Sequence, residues 1–363
     1  MSEKNFSSAQ TFYEKNLNYS FKSFENKNLL PHRYVFILTN LCNLACTFCF
    51  QERKKRADRM STEDWLHLIK QVPSNSRITL TGGEPLVYKD FEKIFIEANK
   101  NCQTNMITNG LLITDDVINL LTSEKNFINL GISIDNIGNT NRDFKTGKWE
   151  ELVKNINKFR EKRNKIKGKT VINIKSVVLD ETIPNLFNIH KYCVEELGSD
   201  THDLQLLKGA EIQYADFMFN YNDIHKEYKA HKYKDFKEFI NQLNLIREYN
   251  VKNNSKCFLH PNIIDLNSNN QIHESDFYYL NNEKHESKHF AKCLSPWTSV
   301  HINVDGNLFP CMAVSMGNVK NTLLKDIIFS DKFDNFKKTI DEKNTINGCN
   351  RCGWLKPSKK KII

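Results

Sequence analysis

The chain has 363 residues, and its 52 Lys and Arg against 43 Asp and Glu leave a net charge of +9 that is spread along its length. At roughly 100–200 residues per domain, that is room for a barrel and a smaller second domain. Charge runs such as Arg160-Glu161-Lys162-Arg163-Asn164-Lys165 mix signs or sit on helical faces, so they read as solvated surface and give no ground for a nucleic-acid partner.

No window approaches about 18 uncharged apolar residues, and Met1-Ser2-Glu3-Lys4-Asn5-Phe6 lacks the basic-then-apolar order of a signal peptide. The sequence therefore offers no membrane span and reads as cytoplasmic. Residues 1–32 are polar and read as an N-terminal arm, with Phe12, Tyr13, Phe21 and Phe24 as anchors. From 33 to 210, short apolar runs alternate with amphipathic stretches, the pattern of βα units and a parallel sheet. Six strands are predicted, over 34–39, 77–81, 105–108, 129–134, 171–178 and 203–207. Helices over 62–71, 90–99, 114–123, 148–165 and 183–197 separate them, with Asp90 and Thr114 as N-caps and Gly198 at a C-cap. Six parallel strands are too few to close an eight-stranded barrel. The expected fold class is therefore α/β, a partial (β/α)6 TIM-type barrel with a lateral mouth.

The stretch 211–289 reads as a helical and loop connection. Phe236, Phe239, Ile240, Leu243, Leu245 and Ile246 mark a helix over 233–249. Residues 267–289 read as a surface loop whose histidines, His273, His285 and His289, are solvated and lack metal-site spacing. Residues 290–363 form a small C-terminal domain, in which Asp305-Gly306 between alternating strands signals a β-hairpin and 323–340 a helix.

Seven of the ten cysteines fall into metal-type groups, which suits a reducing compartment. Cys102, Cys193 and Cys257 are left over and read as small buried residues. Cys42, Cys46 and Cys49 form a C-x3-C-x2-C array directly after the first strand. Three thiolates on one tight loop can hold three irons of a [4Fe–4S] cube and leave the fourth iron open. Zinc also accepts short Cys spacings, but it wants a fourth ligand close by, and Phe50-Gln51-Glu52-Arg53 offers none. After the second strand comes Thr81-Gly82-Gly83-Glu84-Pro85-Leu86, where paired glycines let the backbone pass close to a ligand and Pro85 biases Glu84 toward an extended conformation.

The third strand ends in Thr108-Asn109-Gly110. Ser133 and Asp135, two apart at the end of the fourth, share a face. Asn173 and Lys175 on the fifth strand and Gln205 on the sixth are polar intrusions into apolar runs. Toward the C-terminus, the hairpin brings Cys293 and Cys311 within reach of one site, and Cys349-Asn350-Arg351-Cys352 supplies two more thiolates. Four thiolates could hold zinc or a second [4Fe–4S] cluster.

The cysteine loop, with Phe48 before its last cysteine, together with Gly82-Gly83-Glu84-Pro85 resembles the radical SAM enzyme superfamily. The resemblance implies that S-adenosylmethionine chelates the open iron and that the reduced cluster cleaves it to a 5′-deoxyadenosyl radical, which abstracts hydrogen from a C–H bond. It implies that Gly82, Gly83 and Glu84 bind the methionine amino group and that Ser133 and Asp135 contact the ribose or methionine part. It also implies an arginine in the loop after the fourth strand, a position for which Arg142 and Lys145 compete.

Cys293-Leu294-Ser295-Pro296-Trp297, the run from Asp305 through Cys311, and Met316-Gly317-Asn318-Val319 resemble the twitch domain, the short relative of the SPASM domain. Four cysteines, with only 353–363 beyond the last, imply a single auxiliary [4Fe–4S] cluster. This branch includes 2-deoxy-scyllo-inosamine dehydrogenase and anaerobic sulfatase-maturating enzymes. The expected reaction is oxidation of a C–H bond in a small-molecule or peptide substrate, with flavodoxin or ferredoxin as reductant and the auxiliary cluster taking the surplus electron. The alternatives are a peptide (RiPP) maturase that forms cross-links or epimerises residues, against which the lack of an N-terminal leader-recognition domain counts, and a non-enzymatic, zinc-stabilised binding protein on a decayed barrel.

Overall fold

The computed structural model describes residues 18–358 apart from 20, 27, 50, 52–57, 75, 143, 208 and 214. Its centre is one sheet built from β1 (Arg33–Ile37), β2 (Arg77–Thr81), β3 (Gln103–Thr108), β4 (Phe127–Ser133), β5 (Val171–Val178), β6 (Thr201–Leu206), β7 (Cys257–His260), β8 (Ser299–Ile302), β9 (Asn307–Phe309) and β10 (Gly317–Asn318). The strand order is β10-β9-β8-β1-β2-β3-β4-β5-β6-β7. From β8 to β7 all neighbours run parallel, while β9 and β10 continue the β8 edge antiparallel.

Helices α1 (Thr62–Ile69), α2 (Phe91–Asn101), α3 (Asp115–Ser123), α4 (Lys148–Lys165) and α5 (Leu186–Glu195) follow the first five strands, and α6 (Phe236–Asn253) joins β6 to β7. The strands alternate in the way that a sheet coated on one face requires. Ile78, Leu80, Ile132, Ile174 and Leu204 are buried in the main apolar core with residues of the helices. Trp65 of α1, fully buried, lies against Phe36 of β1 with ring centroids 5.1 Å apart. The residues between them along each strand face the concave side, which is where a site can form.

All six expected strands are present, and the sheet gains two parallel strands that sequence reading did not assign to it. β7 comes from the connection, and β8 pairs with β1 in register from Arg33–Ser299 to Phe36–Ile302. The expected hairpin exists, with Gly306 at φ +86 in its turn, but its first strand is an edge of the arc. The C-terminal segment and the βα units thus share one sheet. Further helices are α7 (Ser295–Thr298), α8 (Leu324–Ile328) and α9 (Asp331–Lys343).

The last two replace the single helix expected over 323–340. The break falls at Ser330, whose side chain caps α9 by accepting from Phe333 N–H. Thr114 caps α3 as expected, whereas the Asp90 side chain makes no cap bond and instead accepts from the Thr62 hydroxyl at 2.7 Å. Gly198 takes the left-handed conformation (φ +61) just past α5. His285 and His289 are packed rather than solvated. His289 is buried and stacks on Tyr279, and His285 stacks on Phe290 and meets the Thr345 hydroxyl at 2.8 Å. Of the expected arm anchors, Phe24 packs edge-on against Trp297, Phe21 is exposed, and Phe12 and Tyr13 lie outside the described residues.

Because β8 covers the β1 edge, ending the chain after residue 289 should leave unpaired backbone and apolar surface there. We expect that truncated chain to aggregate or to bind a hydrophobic dye strongly. Recovery of a soluble monomer with native circular dichroism would mean that the C-terminal segment is an independent appendage.

Candidate active site

The cysteine loop is an extension of the pairing between β1 and β2. Beyond the strands, Leu38 N–H donates to Thr81 O (2.9 Å), Gly83 N–H to Thr39 O (2.7 Å) and Glu84 N–H to Leu41 O (2.9 Å). The approach is so close that a Cβ on Gly82 would lie 2.3 Å from Thr39 O, and one on Gly83 2.3 Å from Leu41 O. The paired glycines thus let backbone meet backbone beside the cysteines. Sequence reading assigned that closeness to a ligand; the structure assigns it, at least in part, to the loop that bears Cys42.

Glu84 is extended, as Pro85 requires (φ −134, ψ 114), and its carboxylate is buried. It accepts from Leu86 N–H (3.1 Å), the Thr108 hydroxyl (2.8 Å) and Asn109 N–H (2.8 Å). Burial pushes its carboxyl up to about 7 against the pull of these three donors. Glu84 therefore ties the glycine loop to the end of β3. Asn109 carries the tie onward: its side-chain amide donates to Asn43 Oδ1 (2.8 Å) and lies 3.8 Å from Cys42 Sγ. Leu44 N–H also points at that sulfur, at 3.4 Å. Burial pushes the Cys42 and Cys46 thiols up, and the other thiols of the loop add to this because all would be negative together.

Arg142 offsets part of that charge at Cys46, with Nη1 4.0 Å from its sulfur and the guanidinium 5.4 Å from the centre of the Phe48 ring. Sequence reading left Arg142 and Lys145 open; only Arg142 reaches the cysteine loop, and Lys145 is exposed. It is held by an ion pair to buried Asp135, whose other oxygen accepts from Val177 N–H at 2.7 Å. Asp135 thus acts through Arg142, while Ser133 is half-buried at the end of β4. Beside Arg142, both amide atoms of Asn141 are buried without a partner. Three thiols, a guanidinium and an unsatisfied amide form a donor set that fits an iron–sulfur cluster and a polar, charged cofactor.

On the concave face farther along the arc lies a cluster that sequence reading caught only at Lys175. His202 meets His190 of α5, so Asp203, the next residue on β6, faces the other way. Lys175 Nζ is 2.6 Å from Asp203 Oδ2, and His260 Nε2 is 3.7 Å from the same oxygen. Burial alone would raise the Asp203 carboxyl, but Lys175 and His260 hold it well below the usual carboxylate range. Lys175 and His260 remain partly exposed, at 31% and 32% of their side chains. Asn173, by contrast, is used up in a buried bond to Thr201 (2.7 Å). The signal that could have found the cluster is the charge of Asp203 inside an apolar strand in register with Lys175.

Gln205 leads to the second thiol group, since its amide donates to the carbonyls of His260 and Arg351. Arg351, at φ +52 between Cys349 and Cys352, is fully buried. It donates to Leu280 O (2.9 Å) and Leu207 O (3.1 Å) with its guanidinium over the Tyr233 ring. Gln213 holds the same turn through the carbonyls of Gly348 and Asn350. Burial pushes Cys293 up to about 12 and Cys311 and Cys349 well above their ordinary value, and each of the three feels the charge of others in the group.

A single zinc ion with Zn–S bonds of about 2.3 Å would draw its sulfurs to within about 4 Å of one another. Among the described residues, the only group of three or more His, Cys, Asp and Glu with ligand atoms within 4.8 Å is His190, His202 and Cys257. Wider spacing suits ligands on separate irons of a cube.

Two stretches of the chain match known families. Residues 36–188 match the profile of the Radical SAM superfamily, and 293–353 match SPASM, an iron–sulfur cluster-binding domain. The sporulation killing factor maturation protein SkfB of Bacillus subtilis (strain 168) is 32% identical over 138 residues, covering 36% of this chain and 33% of that protein. The cysteine-type anaerobic sulfatase-maturating enzyme of Clostridium novyi (strain NT) is 24% identical over 345 residues, covering 86% of this chain and 82% of that one. The chain spans only 33% and 40% of the length of the first two curated relatives it matches, SkfB and an Fe-coproporphyrin III synthase from Methanosarcina barkeri (strain Fusaro / DSM 804). In fold it resembles Streptococcus suis SuiB bound to precursor peptide SuiA, with a TM-score of 0.61 at 17% identity over 94% of this chain and 76% of that one.

Since the side chain in Gly83→Val would strike Leu41 O, that substitution should displace the cysteine loop as well as any ligand. We expect iron in the reconstituted protein to fall from about eight to about four atoms per chain, one cube's worth. Full iron content with weakened S-adenosylmethionine binding would show that the glycine serves the cofactor alone.

Proposed function

We propose, on the premise that this chain is a radical SAM protein with a C-terminal SPASM-type iron–sulfur domain, that it oxidatively modifies a polypeptide substrate at an unactivated C–H bond. When bound, the [4Fe–4S] cluster and S-adenosylmethionine supply a 5′-deoxyadenosyl radical able to abstract that hydrogen. Cys42, Cys46 and Cys49 would hold the cluster, and the segments from Gly82 to Glu84, Ser133 and Arg142 would hold the cofactor. Cys293, Cys311, Cys349 and Cys352 would hold an auxiliary cluster.

The observation that carries the oxidative reading is the closed set of four thiols, three of them buried and Cys293 half-buried, tied through Gln205 to the wall of the barrel. Four protein ligands leave no position for substrate, which suits the second site to electron transfer. Oxidising a carbon radical releases one electron and one proton. His260, 3.7 Å from Asp203 and partly exposed, can take up the proton, and the Lys175 ammonium can hold a substrate carbonyl or carboxylate.

A peptide substrate is favoured over a small molecule by the extent of the likenesses. The sulfatase-maturating enzyme matches across 86% of this chain, whereas a nucleotide dehydratase of Selenomonas ruminantium matches across 28%. SkfB is named a maturation protein, and SuiB is seen with a precursor peptide.

The test is to incubate the cluster-replete protein anaerobically with S-adenosylmethionine, a reductant and each short peptide encoded beside its gene. Mass spectrometry should find one peptide altered, with 5′-deoxyadenosine formed in step. Cys349→Ala should keep forming 5′-deoxyadenosine while product falls at least about tenfold, roughly the loss of one transition-state contact. Unaltered peptides together with turnover of a small metabolite would contradict the peptide reading, and undiminished product from Cys349→Ala would contradict the electron-transfer role.

A further inference from the structure

Behind the sheet, where α5 and α6 cover it, His190 of α5, His202 of β6 and Cys257 of β7 are buried, with one ring nitrogen of each histidine and the cysteine Sγ within 4.8 Å of one another. None of the three belongs to either thiol group described above, and composition marked Cys257 only as a core residue.

The outward nitrogens of both rings are committed. The Ser176 hydroxyl donates to the Ile134 carbonyl, because the donor a parallel ladder would supply there, Val177 N–H, goes to Asp135 Oδ1 instead. A hydroxyl has one proton. Ser176 Oγ must therefore accept from His202 Nε2–H, 2.7 Å away. His190 Nε2 lies 2.8 Å from Asn250 Oδ1. That amide is oriented by its own bonds, since its Nδ2 donates to Leu266 O (3.0 Å) and its Oδ1 accepts from the Ser255 hydroxyl (2.6 Å). An amide oxygen can only accept, so His190 also carries its proton on Nε2.

Both Nδ1 atoms are then bare lone pairs, and they face each other at 3.1 Å from rings parallel to within 5°. Two buried lone pairs at that distance repel unless something positive lies between them. The Cys257 thiol proton can satisfy only one of them.

We propose that His190, His202 and Cys257 bind one borderline-soft d10 cation, zinc(II) or copper(I), through Nδ1, Nδ1 and Sγ. Imidazole nitrogen and thiolate are the donors these ions take. Two nitrogens 3.1 Å apart can each stand about 2.0 Å from one ion, at an angle near 100°. The outer N–H of each ring held by a fixed acceptor is also the arrangement that orients metal-bound histidines. The ion would bolt α5 to β6 and β7. Those strands present Asp203, Gln205 and His260 on the opposite face, so the site is structural and braces the wall of the barrel mouth.

Elemental analysis of the anaerobically purified, iron-replete protein should find about one zinc or copper per chain beside its iron. X-ray absorption at the edge of that metal should show two nitrogens near 2.0 Å and one sulfur near 2.3 Å. Cys257→Ser should remove the sulfur from that shell or release the metal. Either metal in the mixed shell supports the proposal. A shell of four sulfurs, which would assign the metal to the cysteine quartet, overturns it. So does a protein free of zinc and copper, in which a shared proton fills the gap, or an unchanged shell in folded Cys257→Ser. Should that variant fail to fold, the wild-type shell decides.

Discussion

The interlock of two loops beyond β1 and β2 is the constraint on which the candidate active site depends. Gly82 and Gly83 have no side chains because the backbone of residues 39–41 occupies the space, and Glu84 N–H closes the contact on Leu41 O. Beneath it the Glu84 carboxylate satisfies three donors from two segments, each of which would cost about 1–3 kcal/mol if left buried and unpaired. Cys42 thus sits on a scaffold fixed from below by Glu84 and from the side by Asn109. The loop that bears Cys42 is held by the protein's own hydrogen bonds.

A second constraint is topological. By pairing with β1, β8 makes the C-terminal segment part of the arc, and Arg351, Gln205 and Gln213 lock the last cysteine turn onto the carbonyls and strands near the ends of β6 and β7. The Cys42 loop lies at the C-terminal ends of the parallel strands, the face on which barrels of this type place their chemistry. Cys293, by contrast, precedes β8 and Cys311 follows antiparallel β9, toward the starts of β1 and β8, where the Arg33 guanidinium lies over the Trp354 ring. Lys175, Asp203 and His260 lie on the concave surface of the same arc. A substrate reaching that surface would be bordered by residues that one sheet holds in register.

Most of this was legible where a short motif forces a local shape. The cysteine spacing, the Gly-Gly-Glu-Pro run and the Asp305-Gly306 turn each have few alternatives, and the alternating apolar pattern placed six strands to within a few residues. What was not legible depends on contacts distant in sequence. β7 was missed within the connection, and β8, legible as a hairpin strand, is placed in the arc only by its pairing with β1. Arg142 could not be told from Lys145 until the turn after β4 aimed one at Cys46 and left the other exposed. His289 was read as solvated because its neighbours are polar; stacking on Tyr279 buries it. The burial of His190 against His202 has no local signal at all, since one comes from a helix and the other from a strand.

The central claim is that three thiols make an open site and four make a closed one. The most direct measurement is electron paramagnetic resonance of the reduced, fully loaded protein before and after S-adenosylmethionine is added. Two cluster signals are expected, of which only the one missing from the variant with Cys42, Cys46 and Cys49 replaced by Ala should shift. A shift in the signal that this variant retains would place an open iron among Cys293, Cys311, Cys349 and Cys352 and contradict the claim.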